Sequence, residues 1–319
     1  MMNKNNKPLV IITGPTAVGK TDLSIALAKK IGGEIISADS IQIYKYMDIG
    51  SAKIKKNEMQ GITHYLVDEL DPKEDFNVFK FKEMSKRAIE NIYEKGKIPI
   101  IVGGTGFYIQ SVLYDINFEN ENDSQRDEIR DKYYKLANEK GNEYVHSLLK
   151  EVDKESADAI HFNNLKRVVR ALEYYEINHE KFSEHNKRER ENDSPYNFSY
   201  YVLNRQRDTL YERINKRVDI MIDEGLEDEV KRLLDMGYNE KNVSMQGIGY
   251  KEMVSYIRGD ISLEEAIELI KKNTRNFAKR QLTWFRREKI TTFINYENYS
   301  SKEDMLDYML NDLKNKNII

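Results

Sequence analysis

The sequence predicts an α/β fold: a parallel sheet with helices on both faces, interrupted by a helical insertion domain. Three observations carry this. Short apolar runs at residues 8–12, 34–38 and 98–102 alternate with amphipathic stretches, as expected for strands covered on both faces. The first run passes through a Gly-rich turn straight into a helix. From about residue 118 to residue 197 the chain is rich in charge and helix formers, with no strand-like run.

Each element follows from its own pattern. Pro8 to Ile12 is a strand, and Thr21 to Ile31 is a helix because Leu23, Ala26, Leu27 and Ile31 recur at helical spacing. A second strand, Glu34 to Ala38, ends at Asp39, and a third, Tyr65 to Val67, ends before Asp68. Val78 to Tyr93 is amphipathic, with Gly96 as its stop. Ile98 to Val102 then leads into Gly103-Gly104. Polar residues 119–124 and 192–195 read as solvated linkers around the insertion. Tyr200 to Leu203 is one more strand, followed by helices over roughly 208–224, 226–236, 247–258 and 262–287. The expected domains are a core of 1–117 with 198–319, and an insertion of 118–197.

Composition narrows the function. In 319 residues, 51 Lys and Arg stand against 54 Asp and Glu, a net charge of −3 that argues against a general polyanion binder. The 21 Tyr, 11 Phe and 11 Met suffice for a buried core. No cysteine is present, which excludes disulfides, thiolate zinc sites and thiol nucleophiles. The run Leu9 to Ile12 is too short for a membrane span or a secretory leader, so a soluble cytoplasmic protein is expected. The five histidines lack metal-ligand spacing.

Gly14-Pro15-Thr16-Ala17-Val18-Gly19-Lys20-Thr21 matches G-x-x-x-x-G-K-[ST] in full. Glycines let backbone amides converge on phosphate oxygens at the positive end of the following helix. Lys20 adds a charge, and the Thr21 hydroxyl can ligate Mg²⁺. By chance such a match occurs in roughly one chain in a hundred. The fold is therefore P-loop NTPase-like, with a phosphate or diphosphate ligand whose owner the loop does not specify.

Ser37-Ala38-Asp39-Ser40-Ile41-Gln42 follows the second strand. Residues past the carboxyl ends of parallel strands line the ligand crevice. Asp39 reads equally as a general base facing that crevice and as a capping carboxylate. Asp68 is the alternative carboxylate for a metal. Between Lys271 and Lys289 eight basic residues face the single acid Glu288, with Phe277, Trp284 and Phe285 interleaved. That pattern suits RNA backbone contact and stacking, or a solvated helix with a core-facing stripe.

Several segments together resemble the tRNA dimethylallyltransferase family. They are residues 37–44, Met47-Asp48-Ile49-Gly50-Ser51-Ala52-Lys53, Val102-Gly103-Gly104-Thr105-Gly106-Phe107-Tyr108 and Lys166-Arg167-Val168-Val169-Arg170-Ala171-Leu172-Glu173. Arg213-Ile214 with Arg217-Val218-Asp219-Met221, Gly225-Leu226, Glu229-Val230, Gln246-Gly247-Ile248-Gly249-Tyr250-Lys251-Glu252 and residues 279–286 complete a series in order along the chain. The resemblance implies transfer of a dimethylallyl group from dimethylallyl diphosphate to N6 of the adenosine 3′ of the anticodon, in tRNAs reading codons that begin with U. It implies that the loop holds prenyl diphosphate rather than ATP, with Mg²⁺. Lys20 and Arg217 would stabilise the diphosphate, Asp39 would take the N6 proton and Thr105 would meet the reacting region. Asp39, Ser40, Ile41 and Gln42, Lys166, Arg167, Val168, Val169 and Arg170, Gln246, Gly247, Ile248, Gly249, Tyr250 and Lys251, and Arg126, match positions that contact tRNA. Gly247 departs from the Ala or Cys of many members and makes that turn more flexible. Partners would be the tRNA anticodon stem-loop and dimethylallyl diphosphate, with no membrane, and the chain would act as a monomer.

Tyr44, Phe107 and Tyr108 are candidates for stacking or prenyl contact, or for plain core. The rivals are a nucleotide or small-molecule kinase on the same fold, and a nucleotide-regulated RNA-binding protein without chemistry. A free adenine nucleotide is the alternative prenyl acceptor. Thermal unfolding separates the first two enzymes: dimethylallyl diphosphate, and not ATP, should raise the Tm of a prenyltransferase, and the reverse result would indicate a kinase.

Overall fold

The computed structural model describes residues 7–116, 123–288 and 290–319. The chain divides into two compact units: residues up to Leu113 together with Pro195–Ile319, and Tyr114–Ser194. In the first unit β1 (Pro8–Thr13), α1 (Lys20–Ile31), β2 (Gly33–Ala38), β3 (His64–Tyr65), α2 (Val78–Glu94), β4 (Ile98–Gly103) and α3 (Gly106–Leu113) follow one another. The second unit is α4 (Asp123–Lys140), α5 (Asn142–Val152), α6 (Lys154–Ala159), α7 (Leu165–Asn178) and α8 (Phe182–Glu191). The first unit resumes with β5 (Asn197–Asn204), α9 (Arg207–Asp223), α10 (Leu226–Asp235), α11 (Tyr250–Ile257), α12 (Leu263–Phe285), β6 (Thr292–Asn295) and α13 (Lys302–Asn315).

The sheet is parallel throughout, in the order β3-β2-β4-β1-β5-β6. Successive side chains of a strand alternate between faces. Val10, Ile12, Ile35 and Ile100 join Leu23 and Leu27 of α1, Ile214 of α9 and Met309 and Leu313 of α13 in one core. Leu9, Ile11, Ile36 and Ile101, alternating with them, are equally buried, and α2 lies along β2 and β4. Residues whose side chains meet a hydrophobic layer on either side explain why these strands read as unbroken apolar runs.

Several elements differ from expectation for local reasons. The third strand stops at Tyr65, because Leu66 and Asp68 take left-handed backbone (φ 61° and 58°). β5 begins at Asn197, which pairs with Pro8, so the strand reaches back into the residues assigned to the insertion. Of the first linker, residues 119–122 lie outside the described residues, and Asp123 and Ser124 already belong to α4. The helix expected from 247 starts at Tyr250, behind a 3-10 turn at Ser244–Gln246 and Gly249 at φ 99°. α3, β6 and α13 were not anticipated. α3 is apolar on all sides and β6 has only four residues, so neither shows a period.

The second unit is a helical bundle whose core holds Tyr133, Val145, Leu149, Val168, Val169 and Leu172. At its polar centre Glu173, fully buried, meets Arg130 (Nε to Oε2 2.6 Å), Arg126 (Nε to Oε1 3.5 Å) and Arg170. One buried carboxylate thus gathers three guanidinium groups, one of which also meets Asp127. Among the described residues no helix is long and apolar enough to cross a membrane.

Gly103 is where β4 presses closest on its neighbour. A Cβ there would lie 2.2 Å from the Ala38 carbonyl oxygen of β2. Gly103→Ala should therefore lower stability by about 1–3 kcal/mol, the usual cost of overpacking against backbone. Urea unfolding measures this, and an unchanged midpoint would show that the strands separate freely.

Candidate functional site

Residues leaving the carboxyl ends of β1, β2 and β4 surround a cleft of about 1060 Å³. The phosphate loop forms one side. Gly14 (φ 145°) has no room for a side chain, since its Cβ would sit 2.4 Å from the Leu203 carbonyl oxygen. The loop is held from behind by residues that its motif does not include. The carbonyl of Ala17 accepts from Arg213 Nε (2.9 Å), that of Val18 from Arg205 Nε (3.1 Å) and that of Gly19 from the Tyr296 hydroxyl (3.2 Å). Arg205 also stacks on the Tyr296 ring, 3.5 Å from its centroid. In a trans peptide the N–H after a carbonyl points the opposite way, and the Val18 amide, which follows Ala17, donates to Pro15 O at 3.4 Å within the loop. The loop backbone is thus tied in place before any anion arrives, as an anion nest requires.

Lys20 opens α1, and its Nζ donates to the carbonyls of Gly14 (3.0 Å) and Pro15 (2.9 Å). Burial, and then repulsion from Arg217, lower its pKa to about 8, against a partial rescue by Asp39. Arg217 itself is shifted down by burial, with Asp39 opposing and Arg213 adding to the shift. Lys20, Arg217, Arg213 and Asp39 all line the cleft, as do Thr16, Ala17, Gly19 and Thr21. Thr21 is exposed, one residue into α1.

The other side is built on Asp39. Its Oδ1 accepts from the backbone amides of Ile41 (2.9 Å) and Gln42 (3.3 Å). The capping role expected for an Asp at this position is therefore present, and it occupies one oxygen of the two. The same carboxylate lines the cleft, so capping and facing the ligand are compatible. Gln42 joins it there and donates from Nε2 to the carbonyls of Ser51 (3.3 Å) and Ala52 (3.2 Å). Residues 48–53 continue this wall, anchored by two buried charges, Glu229 and Lys53, that belong to the family-like segments without a role assigned to them. Glu229 accepts from the amides of Asp48, Ile49 and Gly50 and from the Tyr250 hydroxyl. Lys53, its side chain 3% exposed, donates to Tyr44 O (2.6 Å), Asp48 (2.7 Å) and Asp68 (2.6 Å). Asp68, the alternative carboxylate for a metal, lines the cleft and pairs through one oxygen with this buried ammonium group.

The back of the cleft explains the glycines of 103–106. A Cβ on Gly104 would lie 2.1 Å from Gln281 Nε2, and one on Gly106 2.2 Å from the Trp284 ring. Their absence lets α12 approach. Gln281 then bridges the two loops, accepting from Thr16 N (3.0 Å) and donating to Gly104 O (3.0 Å). Thr105 sits between Gly104, which lines the cleft, and α3, with its amide 3.4 Å from Ala38 O. Of the aromatic candidates, Tyr44 is plain core, fully buried with its hydroxyl on Glu74 O (3.1 Å). Tyr108 stacks on Phe81 at 4.6 Å, and burial, then Tyr44 and Asp39, push its hydroxyl up to about 12. Phe107 is 41% exposed beside Trp284.

The residues expected to meet RNA sort into supports and surface. Ile41 and Gly247 converge, with a Gly247 Cβ 3.3 Å from Ile41 Cδ1. Gly247 has an ordinary φ of −58°, so its turn does not depend on glycine flexibility. Gly249 and Tyr250 are buried, which corrects Tyr250 from a tRNA-contacting side chain to the support of Glu229 and Gly50. Ser40, Ile248, Gln246 and Lys251 remain at least partly exposed. In the helical unit Val168 and Val169 are core, so their side chains cannot reach RNA; Lys166 and Arg167 are exposed, whereas Arg126 and Arg170 are held by Glu173. On α12, Lys271 pairs with Asp219 and Arg275 donates to Asn215, while Phe285 is core. Lys279, Arg280 and Arg287 surround a shallow hollow with Trp284; Lys289 lies outside the described residues.

A family model for IPP transferase matches residues 42–288. A curated tRNA dimethylallyltransferase of Lachnoclostridium phytofermentans is 55% identical over 313 residues, 98% of this chain and 99% of its own length. Among solved structures, the full-length tRNA isopentenylpyrophosphate transferase of Bacillus halodurans is 41% identical with a TM-score of 0.73, each chain covered to 98%. The tRNA delta(2)-isopentenylpyrophosphate transferase of Staphylococcus epidermidis is 45% identical with a TM-score of 0.71, over 97% of this chain and 100% of that one. A eukaryotic dimethylallyltransferase acting on tRNA is 30% identical with a TM-score of 0.76, over 91% and 74%.

The low pKa of Lys20 has a measurable consequence. At pH 8 the group is about half protonated, and a bound diphosphate favours its charged form, so binding should draw about half a proton from the buffer. Lys20→Arg, charged at every accessible pH, should take up none beyond the ligand's own protons. Calorimetric titration of inorganic diphosphate in two buffers of different ionisation enthalpy measures the difference. Equal uptake by both proteins would remove Lys20 from the anion site.

Proposed function

The chain belongs to the IPP transferase family, and from that premise we propose that it is a tRNA dimethylallyltransferase. It transfers the dimethylallyl group of dimethylallyl diphosphate to N6 of the adenosine 3′ of the anticodon, in tRNAs reading codons that begin with U. The observation that carries this reading is the meeting in one cleft of an anion nest with Lys20 and of a carboxylate, Asp39, whose Oδ1 alone is used by the turn.

The chemistry follows from the residues. An exocyclic adenine amine is a poor nucleophile until its proton is removed. As the bond from N6 to the allylic carbon forms, Asp39 accepts the N6 proton and the carbon–oxygen bond to diphosphate breaks. The loop amides, Lys20 and Arg217 stabilise the charge that gathers on the departing oxygen. Thr105 borders the reacting region. Removing the base from the anticodon-loop stack is the usual requirement of enzymes that modify a base.

Mg²⁺ fits the donor set in one way. Among the described residues no three His, Asp or Glu side chains gather to hold a metal, so the ion would come with the diphosphate, the Thr21 hydroxyl being its protein ligand. When bound it neutralises phosphate charge. Lys166 and Arg167, exposed at the first turn of α7, and the exposed members of 246–251 serve the anticodon stem-loop. A basic residue at a helix N-terminus opposes the helix dipole and becomes favourable only beside an anion such as phosphate. The enzyme works as a cytoplasmic monomer.

The direct test incubates the protein with labelled dimethylallyl diphosphate and bulk tRNA and identifies the labelled nucleoside. Asp39→Asn then isolates the base. Asn keeps an Oδ1 for Ile41 and Gln42, so the turn should persist, but it accepts no proton at neutral pH. The single-turnover rate should fall by roughly 10²–10⁴-fold with little change in diphosphate or tRNA binding. A variant that binds poorly yet reacts normally at saturation would reduce Asp39 to its capping role.

A further inference from the structure

Glu229 lies on α10, far along the chain from the Asp39 turn, and is only 2% exposed. A carboxylate so buried needs full compensation, and this one takes it from the cleft wall. Oε2 accepts from Asp48 N and Ile49 N, both at 2.8 Å; Oε1 accepts from Gly50 N (3.0 Å) and the Tyr250 hydroxyl (2.8 Å). Three consecutive backbone amides therefore converge on one side chain. The approach is tight, since a Cβ on Gly50 would sit 2.6 Å from the Tyr250 ring.

What this loop does next bears on the acceptor. The carbonyls of Ser51 and Ala52 take the Gln42 side-chain nitrogen. That sets the amide orientation of Gln42 through its partners, because only the nitrogen can donate to two carbonyls. Its oxygen accepts from the Ser37 hydroxyl at 3.5 Å, a long contact, and Gln42 lines the cleft together with Asp39. The Gln42 amide in turn donates to Asp39 Oδ1. Asp39 and Gln42 both line the cleft, and two acceptors there would match a group bearing two N–H donors, an exocyclic amine.

We infer that Glu229 is a positioning residue for the amine acceptor, acting through residues 48–52 on the Gln42 carboxamide and the Asp39 turn. The inference rests on the proposed prenyl transfer for its chemistry, and on the hydrogen bonds alone for the coupling. Glu229→Gln places an NH₂ group among backbone donors and so breaks the anchor with little change of shape. Gln42→Glu attacks the same linkage from a half-buried site where folding is not at stake.

Amide hydrogen exchange reads the coupling without any activity. In Glu229→Gln, protection should fall at 48–50 and also at Ile41 and Gln42, while the phosphate-loop amides and the dissociation constant for inorganic diphosphate stay as in wild type. Loss confined to 48–50, or unchanged protection throughout, overturns the inference. With labelled dimethylallyl diphosphate and tRNA, both variants should lose roughly 10²-fold in single-turnover rate, the scale of a small misplacement at a reacting centre. The double variant should be little worse than either single one, because both break the same linkage. Additive losses, or a wild-type rate in Glu229→Gln, would make Glu229 merely structural. If Glu229→Gln does not fold, a wild-type rate in Gln42→Glu overturns the inference by itself. A wild-type protein that transfers no prenyl group would count against the proposed function, while the exchange experiment still decides the coupling.

Discussion

The site depends on one constraint, the level ending of parallel strands. Gly103 of β4 is flanked by Thr13 of β1 and Ala38 of β2 in register, and the Thr13 hydroxyl donates to the Gly103 carbonyl at 2.7 Å. Because the three strands stop together, the phosphate loop, the Asp39 turn and the Gly104 turn begin at the same edge. Hydrophobic layers on both faces of the sheet keep that edge in place. Within the loops, the Thr105 amide donates to Ala38 O at 3.4 Å, which ties the Gly104 turn to the end of β2. The absent side chain at Gly103 allows the spacing, and Gln281, bonded to both Thr16 and Gly104, closes it from α12.

Legibility in the sequence follows from the range of the interactions. The phosphate loop and Asp39 were readable because their chemistry is local: a turn, a helix mouth, a carboxylate capping its own next residues. The residues behind them were not. Arg205 and Tyr296 support the loop across a separation that no spacing records, and Lys53 is an ordinary lysine until the fold closes water out around it. The same reasoning explains where adjacency misled. Tyr250 belongs to the block 246–251, yet in a helix start one residue faces out and the next faces in, and Tyr250 faces in. Val168 and Val169 share a helix turn with Lys166 and Arg167 but lie on its core side. α13 was readable in principle, since Met305, Leu306, Met309 and Leu313 recur at helical spacing on a charged segment.

Charge is distributed by function rather than by total. A chain with a net charge of −3 concentrates Lys20, Arg205, Arg213 and Arg217 around one loop, at a cost visible in the lowered pKa values of Lys20 and Arg217. Cations that repel one another around one cleft store an affinity for an anion. The helical unit uses a different device. It buries a carboxylate, Glu173, and lets three arginines share it, which orders their side chains.

The two sides of the cleft are opposite in hydrogen-bonding sense, and this polarity is itself an argument about chemistry. On the loop side the carbonyls of Ala17, Val18 and Gly19 accept from Arg213, Arg205 and Tyr296, and the cations of Lys20, Arg213 and Arg217 line the cleft. On the Asp39 side the amides of 48–50 are tied to Glu229 and the Gln42 nitrogen to Ser51 and Ala52, so these donors are engaged within the wall and the Asp39 carboxylate lines the cleft. A reaction that moves negative charge onto a leaving diphosphate and takes a proton from an amine needs this arrangement and no rearrangement of it. Dipoles fixed beforehand contribute without reorganising as the bond forms, which is where electrostatic stabilisation has its largest effect. The buried partners, although they touch no ligand, are therefore as much a part of the site as the residues that face it.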